Sequence, residues 1–154
     1  MVLYYSREKK TKIFAEALGE MLQKKVRELE SDLNKKGDII FMFKALGMAF
    51  SGKSAPVSNM PESLPEEIYL CAPIWGGRVA GPPKYFLETA DLQNTTVNLL
   101  LTASVPVEKY KRDALNLLNQ IPCKPGKAYI FATSSKVPPE KETIKEQLKE
   151  MLEA

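Results

Sequence analysis

The segment Glu67-Ile68-Tyr69-Leu70-Cys71-Ala72-Pro73-Ile74-Trp75-Gly76-Gly77-Arg78-Val79-Ala80-Gly81-Pro82-Pro83-Lys84-Tyr85-Phe86-Leu87 decides how the chain is read. It begins as a short apolar run, the pattern of a buried strand. It breaks at Pro73 into a loop that carries the only tryptophan of the chain and two adjacent glycines. It resumes at Pro82, which suits the first turn of a helix because the N–H it lacks has no helical partner there. A strand that delivers a flat aromatic and pliable backbone to the carboxyl edge of a sheet builds a platform for a planar ligand. The same residues also fit a loop whose Trp75 caps the core, and both readings stand at this point.

Toward the N-terminus, residues 2–5 form an apolar, β-prone run and residues 6–11 are polar and charged. Phe14, Ala17, Leu18, Met21 and Leu22 then recur at i, i+3, i+4, i+7 and i+8, which predicts a helix with one buried face. Residues 26–30 fit a short, partly polar strand and residues 31–37 a turn. Residues 38–50 predict a very apolar helix, read as packed on the sheet; a cover over a ligand or a contact with a second copy is the other reading. Residues 51–65, with Gly52, Pro56, Pro61 and Pro65, predict a long loop.

Toward the C-terminus, residues 68–72 fit a strand, residues 82–89 a short helix and residues 96–101 an apolar strand. Tyr110, Ala114, Leu117 and Leu118 trace a helix, and residues 127–132 a last strand. Pro138-Pro139 open a final helix with Ile144, Leu148, Met151 and Leu152 inward. Five strands alternating with helices predict a single α/β domain over residues 1–154: a parallel sheet with helices on both faces, because right-handed crossovers place them there. Ligands of such folds bind at the carboxyl ends of the strands. The loops that matter are therefore residues 6–11, 73–81 and 102–108.

Hydrophobic residues make up 44% and charged residues 27%, the composition of a globular protein with a real core. No apolar run reaches the ~18 residues that span a bilayer, and no secretory signal is expected at the N-terminus. The formal charge of +3 is mild, and short basic runs such as Lys9-Lys10 and Lys35-Lys36 lack interleaved aromatics, so neither nucleic acid nor membrane is expected as a partner. There is no histidine, which removes Ser-His-Asp and Cys-His nucleophiles and histidine-ligated metals. Cys71 and Cys123 make no disulfide framework and fit a reducing cytoplasm.

The loop after the first strand joins a helix N-terminus, where free N–H groups and the positive dipole end favour an anion. Ser6 and Thr11 add hydroxyls and Lys9 and Lys10 add charge, although a plain turn capped by Thr11 fits as well. Tyr4-Tyr5-Ser6-Arg7-Glu8-Lys9-Lys10-Thr11, followed by Ile13-Phe14-Ala15-Glu16-Ala17-Leu18, resembles the opening strand, phosphate loop and first helix of the flavodoxin-like family of FMN proteins. Pro73-Ile74-Trp75-Gly76-Gly77-Arg78, with Pro82 and Phe86-Leu87, resembles that family's second flavin loop.

The resemblance implies a flavodoxin-like three-layer sandwich with a five-stranded parallel sheet in order 2-1-3-4-5, and FMN as cofactor. It implies electron transfer or a small flavin-dependent oxidoreductase, working with a redox partner protein or a small-molecule acceptor. It places the cofactor against Ser6, Arg7, Glu8, Lys9, Lys10 and Thr11, with Ser6, Thr11 and the loop backbone holding the phosphate, and against Pro73, Ile74, Trp75, Gly76, Gly77, Arg78, Ser104 and Val105 on the ring side. Trp75 would stack on the ring, and the Gly76-Gly77 backbone would approach its reactive edge.

Three positions depart from the family pattern. Glu8 stands where a threonine is usual and brings negative charge toward a phosphate. Lys9 stands where glycine is usual, and a side chain opposes the left-handed backbone that glycine grants. Pro106 has no N–H for a flavin carbonyl. These departures motivate a second reading, a flavodoxin-fold module that has lost FMN and acts by binding a partner. A phospho-receiver domain shares the strand order but needs acidic residues where Tyr5-Ser6 and Ala72-Pro73 stand, and it is rejected.

Overall fold

The computed structural model describes residues 1–133 and 139–154. Strand β1 (Val2–Tyr4) is apolar on both faces, which suits only a strand covered on both sides. Val2 and Leu3 are fully buried. β1 pairs in parallel with β2 (Val26–Glu28) on one side and with β3 (Glu67–Trp75) on the other. β5 (Thr96–Ala103) follows β3, and β6 (Lys124–Ala132) ends the sheet, both parallel. The chain order is β2-β1-β3-β5-β6. The five parallel strands thus keep the expected 2-1-3-4-5 order. The shift in numbering comes from β4 (Arg78–Val79), a short strand that folds back antiparallel on the end of β3.

Two helices cover each face. Val2, Tyr4, Cys71, Leu100 and Phe131 meet Phe14 and Leu18 of α1 (Lys10–Leu22) and Ile144 and Leu148 of α5 (Lys141–Glu153). The alternate residues Leu3, Leu70 and Leu99 meet Phe86 and Leu87 of α3 (Gly81–Thr89) and Ala114 and Leu118 of α4 (Glu108–Asn119). Glu140 precedes α5, while Pro138, which the sequence places at its start, lies outside the described residues. Cys71 is fully buried, and burial pushes its thiol far above the ordinary value, so it is an inert core residue.

The apolar helix α2 forms over Asp38–Ser51 but does not enter the core. Only Ala45 is buried, whereas Phe43 is 74% and Phe50 86% exposed. Both sheet faces are already filled by α1, α5, α3 and α4, so α2 is left at the carboxyl edge. There it rests on the turn after β3 and the start of α3, with Ala49 against Gly76 and Met48 against Gly81. Gly52, in the left-handed conformation, ends the helix, and Lys84 of α3 donates to its carbonyl. The loop that follows covers the edge strand: Asn59 donates to Glu28 O at 2.8 Å and accepts from Glu30 N at 2.7 Å.

The register between β5 and β6 slips by a bulge between Val97 and Leu99. Buried Asn98 holds it: Oδ1 accepts from Lys127 N at 3.0 Å and Nδ2 donates to Glu67 Oε1 at 3.2 Å. A Cβ on Gly126 would lie 2.3 Å from Asn98 Oδ1 and 2.8 Å from Val97 O. Gly126→Ala is therefore expected to cost about 2 kcal/mol or more, by overpacking and by loss of the Asn98 bonds, in a urea-unfolding comparison with the unsubstituted chain.

Candidate functional site

β1 and β3 are neighbours whose following connections run to opposite sides of the sheet, and such a switch point opens a cleft at the strands' carboxyl ends. The turn out of β1 passes through Lys9 at φ 63°, ψ 0°, and α1 starts at Lys10. The left-handed conformation expected to be closed to a lysine is adopted here. The strand-to-helix turn requires it, at a strain of about 1–2 kcal/mol. Lys9 makes no side-chain cap bond to α1, and among the described residues no side chain takes the first N–H groups, so they and the positive helix end open toward the cleft. Thr11 is not the cap. It lies inside the first turn, buried, with its hydroxyl 2.8 Å from that of Thr102 on β5.

Arg7 holds the loop in place. Its guanidinium donates to Leu33 O (3.1 Å), Asn34 O (3.1 Å), Lys36 O (3.0 Å) and Asp38 Oδ1 (2.9 Å), and lies 4.1 Å from the centre of the Phe41 ring. One side chain thus ties the loop after β1 to the 3₁₀ turn Asp32–Lys35 and to the start of α2. With four of its five N–H groups committed, the Arg7 side chain acts as a brace for the loop. Beside it, the buried Tyr5 hydroxyl donates to Asn34 Oδ1 at 2.6 Å, and Asn34 Nδ2 reaches Ser6 O at 3.4 Å. Burial raises the Tyr5 hydroxyl well above its ordinary pKa, so it stays protonated as a donor.

Trp75 closes the cleft on the β3 side. It is gripped edge-on by Tyr5 (centroids 5.5 Å apart, 78°) and by Phe41 of α2 (5.0 Å, 88°). The cleft holds about 260 Å³ and is lined by Ser6, Arg7, Glu8, Lys10 and Thr11 from the first loop, Pro73, Ile74 and Trp75 from β3, and Ser104 from the third loop. Phe41, Thr102, Ala103 and Thr133 complete it. Glu8 pairs with Lys10 at 3.3 Å on the exposed rim, so its charge is partly answered. A second hollow of about 660 Å³ shares Arg7, Glu8 and Phe41 and continues along α2 to Ala45 and Leu46.

Five of the sequence-predicted site residues lie outside the cleft lining: Lys9, Gly76, Gly77, Arg78 and Val105. Val105 is exposed beyond the end of β5. Gly76 (φ 56°) and Gly77 (φ 81°) form the two-residue turn of the β3–β4 hairpin, which requires positive φ at both positions. A Cβ on Gly76 would meet Ala49 at 2.7 Å. With Arg78 they line a separate hollow of about 430 Å³ against α4 and Lys84. The glycines thus serve the hairpin and the seat of α2.

Among the residues the sequence reading missed, Thr102 opens the third loop already marked by sequence. Phe41 gave no separate signal, because it lies in an unbroken apolar run. Thr133 follows a strand end that the pattern located but did not connect to the cleft.

No protein-family model and no curated protein sequence matches the chain. Solved structures do. A candidate flavoprotein from Bacteroides uniformis ATCC 8492 superposes with a TM-score of 0.76 at 19% identity, over 97% of this chain and 96% of that one. A flavoprotein in complex with FMN from Lactobacillus acidophilus NCFM gives 0.67 at 19% identity, over 84% and 90%. The apo form of an NADH:FMN oxidoreductase gives 0.59 at 16% identity, over 99% and 85%. The likeness is one of fold: the chain is a flavodoxin-like α/β sandwich.

The brace generates its own prediction. Arg7→Lys keeps the charge but cannot reach four acceptors at once. It is expected to lower stability by about 1–2 kcal/mol and to speed amide hydrogen exchange in α2 more than in α1 or α5.

Proposed function

We propose that the cleft binds FMN and that the protein works in electron transfer, as a carrier or as a small flavin-dependent oxidoreductase. The observation that carries this reading is the pairing, across one switch-point cleft, of a helix N-terminus that no described side chain caps with an aromatic wall. Open N–H groups of α1, the Ser6 hydroxyl and Lys10 fit a phosphate. Trp75 and Ile74 fit the apolar ring, and Ser104 with the backbone of Ala103 offers polar partners along its third side. The bound flavin would supply the redox chemistry; the chain supplies position and electrostatics. Arg7 contributes by holding the loop against α2. Glu8 draws on Lys10, so part of the cation's charge is turned away from the phosphate position.

One observation favours the second reading, a flavin-free module that binds a partner. Phe41 stands perpendicular to Trp75 with ring centroids 5.0 Å apart, and both rings line the cleft in which a flavin ring would stack. FMN then requires Phe41 to move aside or to serve as the opposing wall.

Titration of the purified chain with FMN separates the two readings. Trp75 is the only tryptophan, so its fluorescence reports on the site directly. Saturable quenching is expected, with Trp75→Ala weakening FMN binding by about 0.5–1.5 kcal/mol as measured calorimetrically. A chain that retains no FMN in excess cofactor supports the partner-binding module instead.

Glu8→Thr removes the negative charge and frees Lys10. FMN should bind more tightly by up to about 1 kcal/mol at low ionic strength, with the gain shrinking in high salt because the pair is exposed. Weaker binding by this variant would mean that Glu8 supports the site.

A further inference from the structure

A helix as apolar as α2 belongs in a core or in an interface, yet α2 stands at the edge of the fold. Its inward side, Phe41, Ala45 and Met48, faces the cleft and α3. Its outward side carries Ile39, Ile40, Phe43 and Phe50, with Met42 and Leu46 on the flank that lines the second hollow, all six between 45% and 86% exposed. Ile39, Phe43, Leu46 and Phe50 fall on one stripe at i, i+4, i+7 and i+11. The one charged residue between Ile39 and Phe50, Lys44, sits about 130° away around the helix. At about 200 Å² for a fully exposed large apolar side chain, the six residues together offer just under ~800 Å². That exceeds the ~300–600 Å² of the largest patch on an ordinary monomer. It approaches the ~800 Å² per partner of a standard stable interface.

We propose that this face joins two copies of the chain in a twofold dimer, with the two α2 helices packed antiparallel. The stripe is complementary to itself. A twofold axis midway along α2 sets Ile39 of one copy opposite Phe50 of the other and Phe43 opposite Leu46. Gly47, around which a built Cβ meets nothing within 4 Å, leaves open space between Phe43 and Phe50, opposite Met42 of the other copy. The antiparallel arrangement opposes the helix dipoles and brings Asp38 of one copy near Lys53 of the other. A face without charge has nothing to select a foreign partner and matches the apolar character of permanent self-association. The dimer goes beyond the flavin reading and does not depend on it. It makes α2 a shared wall whose inner side lines the cleft of each copy.

Sedimentation velocity of the full chain from about 1 to about 100 μM is expected to show twice the 17.3 kDa chain mass. Phe43→Glu is expected to sediment at 17.3 kDa with an unchanged far-UV circular dichroism spectrum, since Phe43 touches little of its own fold. Geometry is tested separately in a Cys123→Ser background. A mixture of Ile39→Cys and Phe50→Cys chains should give a disulfide-linked heterodimer on oxidation, and Ile39→Cys alone should not link.

A monomeric unsubstituted chain across that range overturns the proposal, as does a Phe43→Glu variant that remains dimeric. Linking by Ile39→Cys alone overturns the antiparallel pairing. Lysines 35, 36, 44 and 53 border the patch, so flotation with phosphatidylcholine–phosphatidylglycerol vesicles is the control. A monomer that floats with these vesicles, and stops doing so as Phe43→Glu, overturns the dimer and assigns the patch to an anionic lipid surface.

Discussion

Burial of β1 and β3 on both faces is the constraint from which the other features follow. A strand with apolar side chains on both sides needs a helix layer above and below, and parallel neighbours reached by right-handed crossovers supply those layers. The connection after β1 runs to one side and that after β3 to the other, so the two strand ends part and a cleft opens between them. The cleft is thus a product of core packing. Its first wall is the α1 N-terminus, placed by Phe14 and Leu18 in the core. Its second is Trp75, placed by the last residues of a strand whose middle is fully buried.

Around that cleft the polar interactions hold loops. Arg7 spends its donors on carbonyls at the end of a 3₁₀ turn and on Asp38, and Tyr5 reaches Asn34 in the same turn. Main-chain carbonyls at the end of a short helical turn have few internal partners (Leu33 O takes only Lys36 N–H from the backbone), and a guanidinium satisfies several at once. The same bonds position Phe41 against Trp75. A residue of the expected phosphate loop therefore shapes the aromatic side of the cleft. The left-handed Lys9 belongs to the same economy: the turn geometry is imposed by the strand and helix it joins, and the lysine accepts the strain.

α2 shows how local pattern and tertiary packing diverge. Its sequence is apolar enough for a core helix, and base rates for such stripes favour that placement. The core was already closed by α1, α3, α4 and α5, two helices to each sheet face. Arg7 at its start and Lys84 at its end fasten α2 across the carboxyl edge and leave its outer stripe uncovered.

The sequence by itself determined the alternation of strands and helices, the parallel order, the inward faces of α1 and α5 and the three loops that meet at the cleft. These depend on periods of 2 and 3.6 residues and on Pro and Gly, which act locally. The first loop and β3 end were legible for the same reason: Ser6, Glu8, Lys10, Thr11 and Trp75 line the cleft as their positions beside strand ends imply. Only the tertiary structure decided the rest. A two-residue hairpin took Gly76, Gly77 and Arg78 away from the cleft, because the antiparallel pairing of Trp75 with Arg78 is a contact of β3 with β4 that spacing does not announce. Thr11 and Thr102, far apart in sequence, found each other's hydroxyls across the sheet edge. The outward turn of α2 was settled by which surfaces were already occupied, a property of the whole packed chain and of no segment within it.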